Sequence, residues 1–161
     1  MESRLRRTRP ARNVVAMTEN SSAHPFTPVL RTQADVETAW RTLVRPLGWS
    51  SRRLWLMLIG ADDRPVRQLV EVTELPDVVD DEAAGHVAAF LARVRDEFGA
   101  DGRLALLVCR PGVGLPSADD RASAAALYDA CRARGVPMEV IHLATDVDIV
   151  PLPADTLPAS A

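Results

Sequence analysis

One stretch of the chain, residues 103–123 (RLALLVCRPGVGLPSADDRAS), restricts the possible folds more than any other. It begins with an unbroken apolar run, passes through a loop rich in proline and glycine, and enters a segment that opens with Ser117 and two aspartates. An apolar run of this length bounded by turn residues is typical of a strand buried on both faces. Such a strand needs helices above and below it, so the stretch predicts a layered α/β protein.

The remaining sequence predicts helices and strands in alternation around that strand. Thr32 is placed to cap the first helix and Gly48 to end it. The other predicted elements are strands at 54–59 and 66–72 forming a hairpin, a helix at 80–98, a strand at 104–109, a helix at 118–134, a strand at 138–143 and a short strand at 147–150. We therefore expect a three-layer α/β/α domain with a central mixed sheet over residues 31–152, an Arg-rich disordered tail at 1–30 and a flexible tail at 153–161.

The charge of the chain is unevenly distributed. Five of the 19 basic residues, all arginines, lie in the first twelve positions, whereas all acidic residues except Glu2 lie from residue 19 onward. An acidic body repels nucleic-acid phosphate, so a nucleic-acid partner is expected only through residues 1–16, which we interpret as a flexible extension. Neither a secretory signal nor a membrane span is present in the pattern. All the basic residues are arginine and none is lysine, which indicates a GC-rich bacterial genome. We expect a cytoplasmic protein.

The order of elements and several motifs resemble the RadC-like JAB/MPN family, whose fold is cytidine-deaminase-like. The matching segments are TQADV at 32–36, LIGADDR at 58–64 and the stretch at 106–121. In that family an HxHP motif followed by SxxD supplies two histidines and an aspartate to zinc, and a distant glutamate acts as base. The resemblance extends over residues 31–150 and implies a JAB/MPN-type sheet with helices on both faces.

The zinc-binding histidines of that family are missing from this chain. An alignment on the proline of HxHP places Val108 and Arg110 at the histidine positions, and an ungapped alignment from Ser117 places Leu107 and Cys109 there. The first ligand position is aliphatic in both, and an open zinc site needs three protein donors. We therefore expect no metal and no cofactor, and interpret the chain as a degenerate, non-catalytic member that binds an unknown protein or small ligand.

Ser117 and Asp120 have two interpretations. A serine at the start of a helix followed three residues later by an acid predicts a capping box, in which each side chain accepts a hydrogen bond from the other residue's backbone. The alternative is a ligand-binding pocket formed by Arg110, Ser117 and Asp120.

An alternative from the enzyme class is a metal-independent activity centred on Cys109. This cysteine ends a central strand, where α/β sheets gather their sites, and Arg110 is available to stabilise a thiolate. Ser117, Asp120 and His142 are the other candidate catalytic residues, with His142 expected on a neighbouring strand. The simpler interpretation is that Cys109 and Cys131 are free, buried thiols, as in most cytoplasmic proteins.

Overall fold

The computed structural model describes residues 27–98 and 101–157. Within these residues the elements are α1 (Gln33–Leu43), β1 (Arg53–Ile59), β2 (Pro65–Val72), α2 (Asp81–Phe98), β3 (Arg103–Cys109), α3 (Ala118–Ala133), β4 (Ile141–Ala144), β5 (Ile149–Leu152) and a 3-10 turn (Ala154–Thr156). The predicted order of helices and strands is confirmed. The first 26 residues, which include the Arg-rich extension through which a nucleic-acid partner was considered, lie outside the described residues, as do 158–161.

The five strands form one mixed sheet in the order β2-β1-β3-β4-β5. The pairs β1/β2, β1/β3 and β4/β5 are antiparallel, and β3/β4 is parallel. A parallel pair needs a crossover, which α3 provides. This topology brings the loops 44–52, 110–117 and 145–148 to the carboxyl end of β3, called here the Arg110 end. The opposite end, where β3 begins, is called the Arg103 end.

Helices cover the sheet on both faces, which gives the predicted three layers. Helices α2 and α3 pack on one face around Leu56, Leu106 and Leu143. Helix α1 packs on the other face, where Trp40 belongs to the same buried cluster as Met57 and Leu107. Every residue of β3 after the first is buried, as expected for a strand with a hydrophobic layer on each side. The structure is therefore α/β with a mixed sheet.

Helix α1 begins as predicted and ends earlier than predicted. Thr32 forms a capping box with Asp35, whose carboxylate accepts the Thr32 N–H at 2.9 Å. The helix ends at Leu43, not at Gly48, and Val44 is its C-cap. The reason is Pro46, which disfavours helical backbone at the residue before it and has no N–H to continue the ladder.

The last two strands are shifted relative to the prediction. β4 begins at Ile141, three residues later than predicted. The residues just before it contact Leu104 through an isolated bridge that is not continuous with the strand, and the Glu139 N–H donates to the Leu104 carbonyl at 2.8 Å. β5 begins at Ile149 because the residues before it form a turn, closed by the Thr145 N–H to the Asp148 carbonyl at 2.9 Å. Alternating hydrophobicity alone does not reveal either constraint.

The packed region extends slightly past the predicted domain limits of 31 and 152. Leu30 is fully buried and donates its N–H to the Asp63 carbonyl at 2.7 Å. Leu157 packs against the α2/α3 core. None of the helices within 27–98 and 101–157 is long and apolar enough to cross a bilayer.

Candidate functional site

A buried carboxylate lies at the Arg110 end, where β3 leads into α3. The side chain of Asp120 has no exposed surface, and the Arg110 Nε donates to both of its oxygens, at 3.0 and 2.9 Å. Arg52 stands opposite Arg110 because β1 and β3 are antiparallel with Arg53 paired to Cys109. Its Nη1 lies 3.5 Å from Asp120 Oδ1. Two guanidinium groups therefore surround one carboxylate. Arg52, Arg110 and Asp120 are called the arginine–aspartate cluster.

The same carboxylate closes the start of α3. The Asp120 N–H donates to the Ser117 hydroxyl at 3.1 Å, and Asp120 Oδ2 accepts the Ser117 N–H at 2.8 Å. The predicted capping box is confirmed. Burial acts to raise the pKa of Asp120, but the hydrogen bonds from Ser117 and Arg110 outweigh it and hold that pKa below its usual value. Asp120 is therefore ionised at neutral pH, and its oxygens are occupied by protein donors.

Arg110 also shapes the loop that follows it. Its Nη1 donates to the Pro111 carbonyl at 3.2 Å, and its Nη2 lies 3.5 Å from the Leu115 carbonyl. Gly112 and Gly114 have φ values of 95° and 101°, which residues with a Cβ rarely adopt. The guanidinium thus holds a turn that the two glycines make possible.

Asp146, from the loop between β4 and β5, holds this turn through hydrogen bonds to Gly112. Its Oδ2 accepts the Gly112 N–H at 2.8 Å, and its own N–H donates to the Gly112 carbonyl at 2.9 Å. Its Oδ1 accepts the Trp49 N–H at 2.9 Å. The two backbone donors lower the pKa of Asp146. Sequence analysis did not select Asp146 as a site residue, because its partners are 34 and 97 residues away.

Three aliphatic side chains point into solvent from these two joined loops. Leu115 is 86% exposed, Val113 67% and Val147 66%, which makes them the most exposed large hydrophobic residues of the described chain. Val113 follows Gly112 and Val147 follows Asp146. Because two hydrogen bonds join Gly112 to Asp146, the two loops are adjacent. Val113, Leu115 and Val147 are called the apolar tips. A rigid support for exposed aliphatic groups is a feature of recognition surfaces.

Cys109 lies on the opposite face of the sheet from Asp120. Its thiol is fully buried among the residues under α1, and burial raises its pKa far above the ordinary thiol value. A nucleophilic cysteine needs access and a thiolate, and the side chain here has neither. Arg110, expected to stabilise a thiolate, is bonded to Asp120 instead.

His142 lies on the same face as Cys109 but is offset from it along the strands. His142 pairs with Leu107, whereas Cys109 pairs with Ala144. The His142 side chain is fully buried, its Nδ1 is 3.0 Å from the Val140 carbonyl, and burial lowers its pKa. Among the described residues its Nε2 has no hydrogen-bond partner. The structure thus brings Arg110, Ser117 and Asp120 together and does not join Cys109 to His142.

The described residues contain no group of three or more His, Cys, Asp or Glu side chains placed to hold a metal ion. Leu107 and Val108, at the first histidine position in the two alignments, are core side chains. His86 is exposed on α2. No protein-family model matches the chain, and a comparison with curated proteins finds no relative.

Proposed function

We propose that this chain is a non-catalytic binding or scaffold domain of degenerate RadC/JAB-like type. The observation that carries the proposal is that both oxygens of the Asp120 carboxylate, which stands at the aspartate position of SxxD, accept hydrogen bonds from the protein. It accepts from Arg110 and Ser117 and lies beside Arg52. A carboxylate that binds catalytic zinc must keep an oxygen free for the metal.

The energetics of the cluster favour a structural role for Asp120. Moving Asp120 toward a metal would remove the hydrogen-bond partner of a guanidinium whose side chain is only 12% exposed. Breaking such a buried pair costs about 3–5 kcal/mol, because the remaining charge stays in a poorly solvated place. The cluster therefore supports the loop after β3 and does not act as a reaction centre.

The supported loop gives the domain its binding surface. Arg110 and Asp146 fix the backbone between them, and the apolar tips project from it. Ordering a loop before a partner arrives reduces the entropy cost of association. Binding through this surface requires no chemistry from the cluster beneath it.

Metal analysis of the purified chain tests the proposal. We expect far less than one zinc per chain after purification in zinc-containing buffer, because the histidine positions hold no ligands. Asp119→Ala is the matched control for Asp120→Ala, since Asp119 is the adjacent exposed acid. About one zinc per chain that Asp120→Ala loses and Asp119→Ala keeps would contradict the proposal.

A further inference from the structure

We infer that His142 makes helix α1 an acid-releasable cover of the sheet, because its ring can take up a second proton only when α1 moves away. His142 lies on β4 beside Leu107, a member of the buried cluster under α1, and its side chain is fully buried. In the closed state α1 lies on the sheet, and in the open state the ring of His142 meets water. The inference goes beyond the proposed binding function, because neither Arg110 nor Asp120 takes part in it.

The ring of His142 has one nitrogen that the surrounding protein leaves unsatisfied. Its Nδ1 lies 3.0 Å from the Val140 carbonyl, and a carbonyl only accepts, so Nδ1 carries the proton of the neutral ring. Nε2 then presents a lone pair, and it has no hydrogen-bond partner among the described residues. An N–H formed at Nε2 in the closed state would have neither water nor an acceptor, so protonation and closure oppose each other.

The charged residues around the ring do not supply a counter-ion for an imidazolium. Glu37 and Arg41 on α1 and Glu139 before β4 are the charged groups close enough to act on His142. Arg41 donates to the Glu37 carboxylate through Nε and Nη2, at 3.1 and 3.0 Å, and Arg103 donates to the Glu139 carboxylate. Both acids are thus already paired with an arginine, and neither is left to balance a protonated ring.

The sheet around the ring is uncharged as well. The cross-strand neighbours of His142 are Leu107 on β3 and Pro151 on β5, and the Cys109 thiol on the same face stays protonated because burial raises its pKa. Burial is therefore the largest influence on the pKa of His142 and lowers it. The closed state is fully stable above the ordinary histidine pKa of about 6.5 and is weakened as the pH falls from there toward the lower folded-state value. Each pH unit in that window raises the ratio of open to closed molecules by up to about tenfold.

Helix α1 is the element that can open alone to expose the ring. Within the described residues it is the single helix on its face of the sheet, whereas α2 and α3 share the other face. Arg41 ties it to the strand beside His142, through Asp148 Oδ1 at 2.9 Å and the Ile149 carbonyl at 2.7 Å. An isolated helix of 11 residues is marginal in water, so α1 loses its own hydrogen bonds when it leaves the sheet. Opening is therefore measurable as hydrogen exchange of the α1 amides.

Hydrogen–deuterium exchange of the full chain at about pH 7.5 and about pH 5 tests the inference. The measured quantity is the protection factor, in which the intrinsic pH dependence of amide exchange is divided out. The α1 amides should lose between about tenfold and about 30-fold in protection at the lower pH, because the open state binds a proton that the closed state does not. At both pH values their protection should lie at least about tenfold below that of the most protected α3 amides, which exchange only when the whole domain unfolds.

His142→Gln is the decisive variant, and His86→Gln is its matched control because His86 is an exposed histidine on α2. His142→Gln should reduce the pH effect on α1 to less than about twofold, since glutamine does not titrate, and His86→Gln should keep the effect in full. His142→Phe, which keeps a ring without a titrating nitrogen, should behave like His142→Gln and replaces it if glutamine disturbs the core. Each result is a ratio between two pH values of one variant, so a uniform loss of stability does not alter it.

Three results would overturn the inference. The first is equal protection of the α1 amides at the two pH values in the parent chain. The second is an undiminished pH effect in both His142 variants, which would assign it to other groups. The third is equal protection of α1 and α3, which would mean that α1 leaves the sheet only when the whole domain unfolds. None of these measurements involves zinc or a partner, so their failure leaves the proposed function standing.

Discussion

An arginine lies at each end of β3, and the two arginines differ in the burial of their partners and in the segments they hold. At the Arg103 end, Arg103 Nη1 donates to Asp63 at 2.7 Å, and the same guanidinium bonds Glu139 and the Leu30 carbonyl. Its two carboxylate partners remain partly exposed, and it joins distant parts of the chain. At the Arg110 end, the Asp120 carboxylate is fully buried, and the guanidinium shapes an adjacent loop. Similar ion pairs therefore join distant segments of the chain at one end and support the loop after β3 at the other.

The two ends also share a capping motif with different surroundings. Thr32 and Asp35 form the box at the Arg103 end, and Ser117 and Asp120 form it at the Arg110 end. Asp35 accepts backbone N–H groups only, from Arg31 and Thr32 at 2.9 Å each. Asp120 accepts a guanidinium as well. The comparison shows that the cap itself is a local device and that burial with two arginines is what distinguishes Asp120.

The largest expected effect is the difference between Asp120→Asn and Asp63→Asn. Asp120→Asn leaves the poorly solvated Arg110 guanidinium without its counter-ion and leaves Arg52 with only the exposed Asp77, at 3.8 Å, so urea unfolding should show a loss of about 3 kcal/mol. Asp63→Asn should cost less than about 1 kcal/mol, because Arg103 keeps Glu139 and the site is partly exposed. Asparagine tolerates the positive φ of Asp63, 61°, so backbone strain does not confuse the comparison. Equal losses would mean that the two ends are energetically alike.

A second expected effect is that acid removes the difference between the parent chain and Asp120→Asn. The folded-state pKa of Asp120 is lowered, so its stabilising effect is fully present above the unfolded carboxyl pKa of about 3.9 and is lost as the pH falls through the folded value. Urea unfolding at a series of pH values from neutral down to about 3 should therefore show the gap narrowing at the acidic end. A gap that stays constant to the lowest pH would show that the charge of Asp120 is not what stabilises the cluster.

The smallest expected effect is a matched loss at the two caps. Ser117→Ala and Thr32→Ala should each lower the free energy of unfolding by about 1 kcal/mol, because each removes one hydroxyl that accepts a backbone N–H. Ser117→Asp should change it by less than about 0.5 kcal/mol, since aspartate is an equally good N-cap. Denaturant melts of the three variants measure this. A much larger loss for Ser117→Ala than for Thr32→Ala would give Ser117 a role beyond capping.

Local parts of the site were predictable, and the parts made by distant contacts were not. The β3 strand and the Ser117 cap follow from residues within one short stretch of sequence. The approach of Arg52 depends on the β1/β3 register, and the Asp146 bond to Gly112 depends on the β3/β4 pairing, so neither is visible in the order of residues. Hydrophobicity at Leu115 gives no sign of exposure, because only the completed loop determines which way the side chain points.

The two cysteines divide between the two cores of the sheet. Cys109 lies in the core under α1 and Cys131 in the core under α2 and α3, and neither is bonded to the other. Burial raises both pKa values, that of Cys131 to about 11, so neither thiol reacts while its layer is closed. The protein therefore carries one chemical reporter in each layer. The rate at which Cys109 reacts with a disulfide reagent measures how often α1 separates from the sheet. The rate for Cys131 measures the opening of the α2/α3 layer independently.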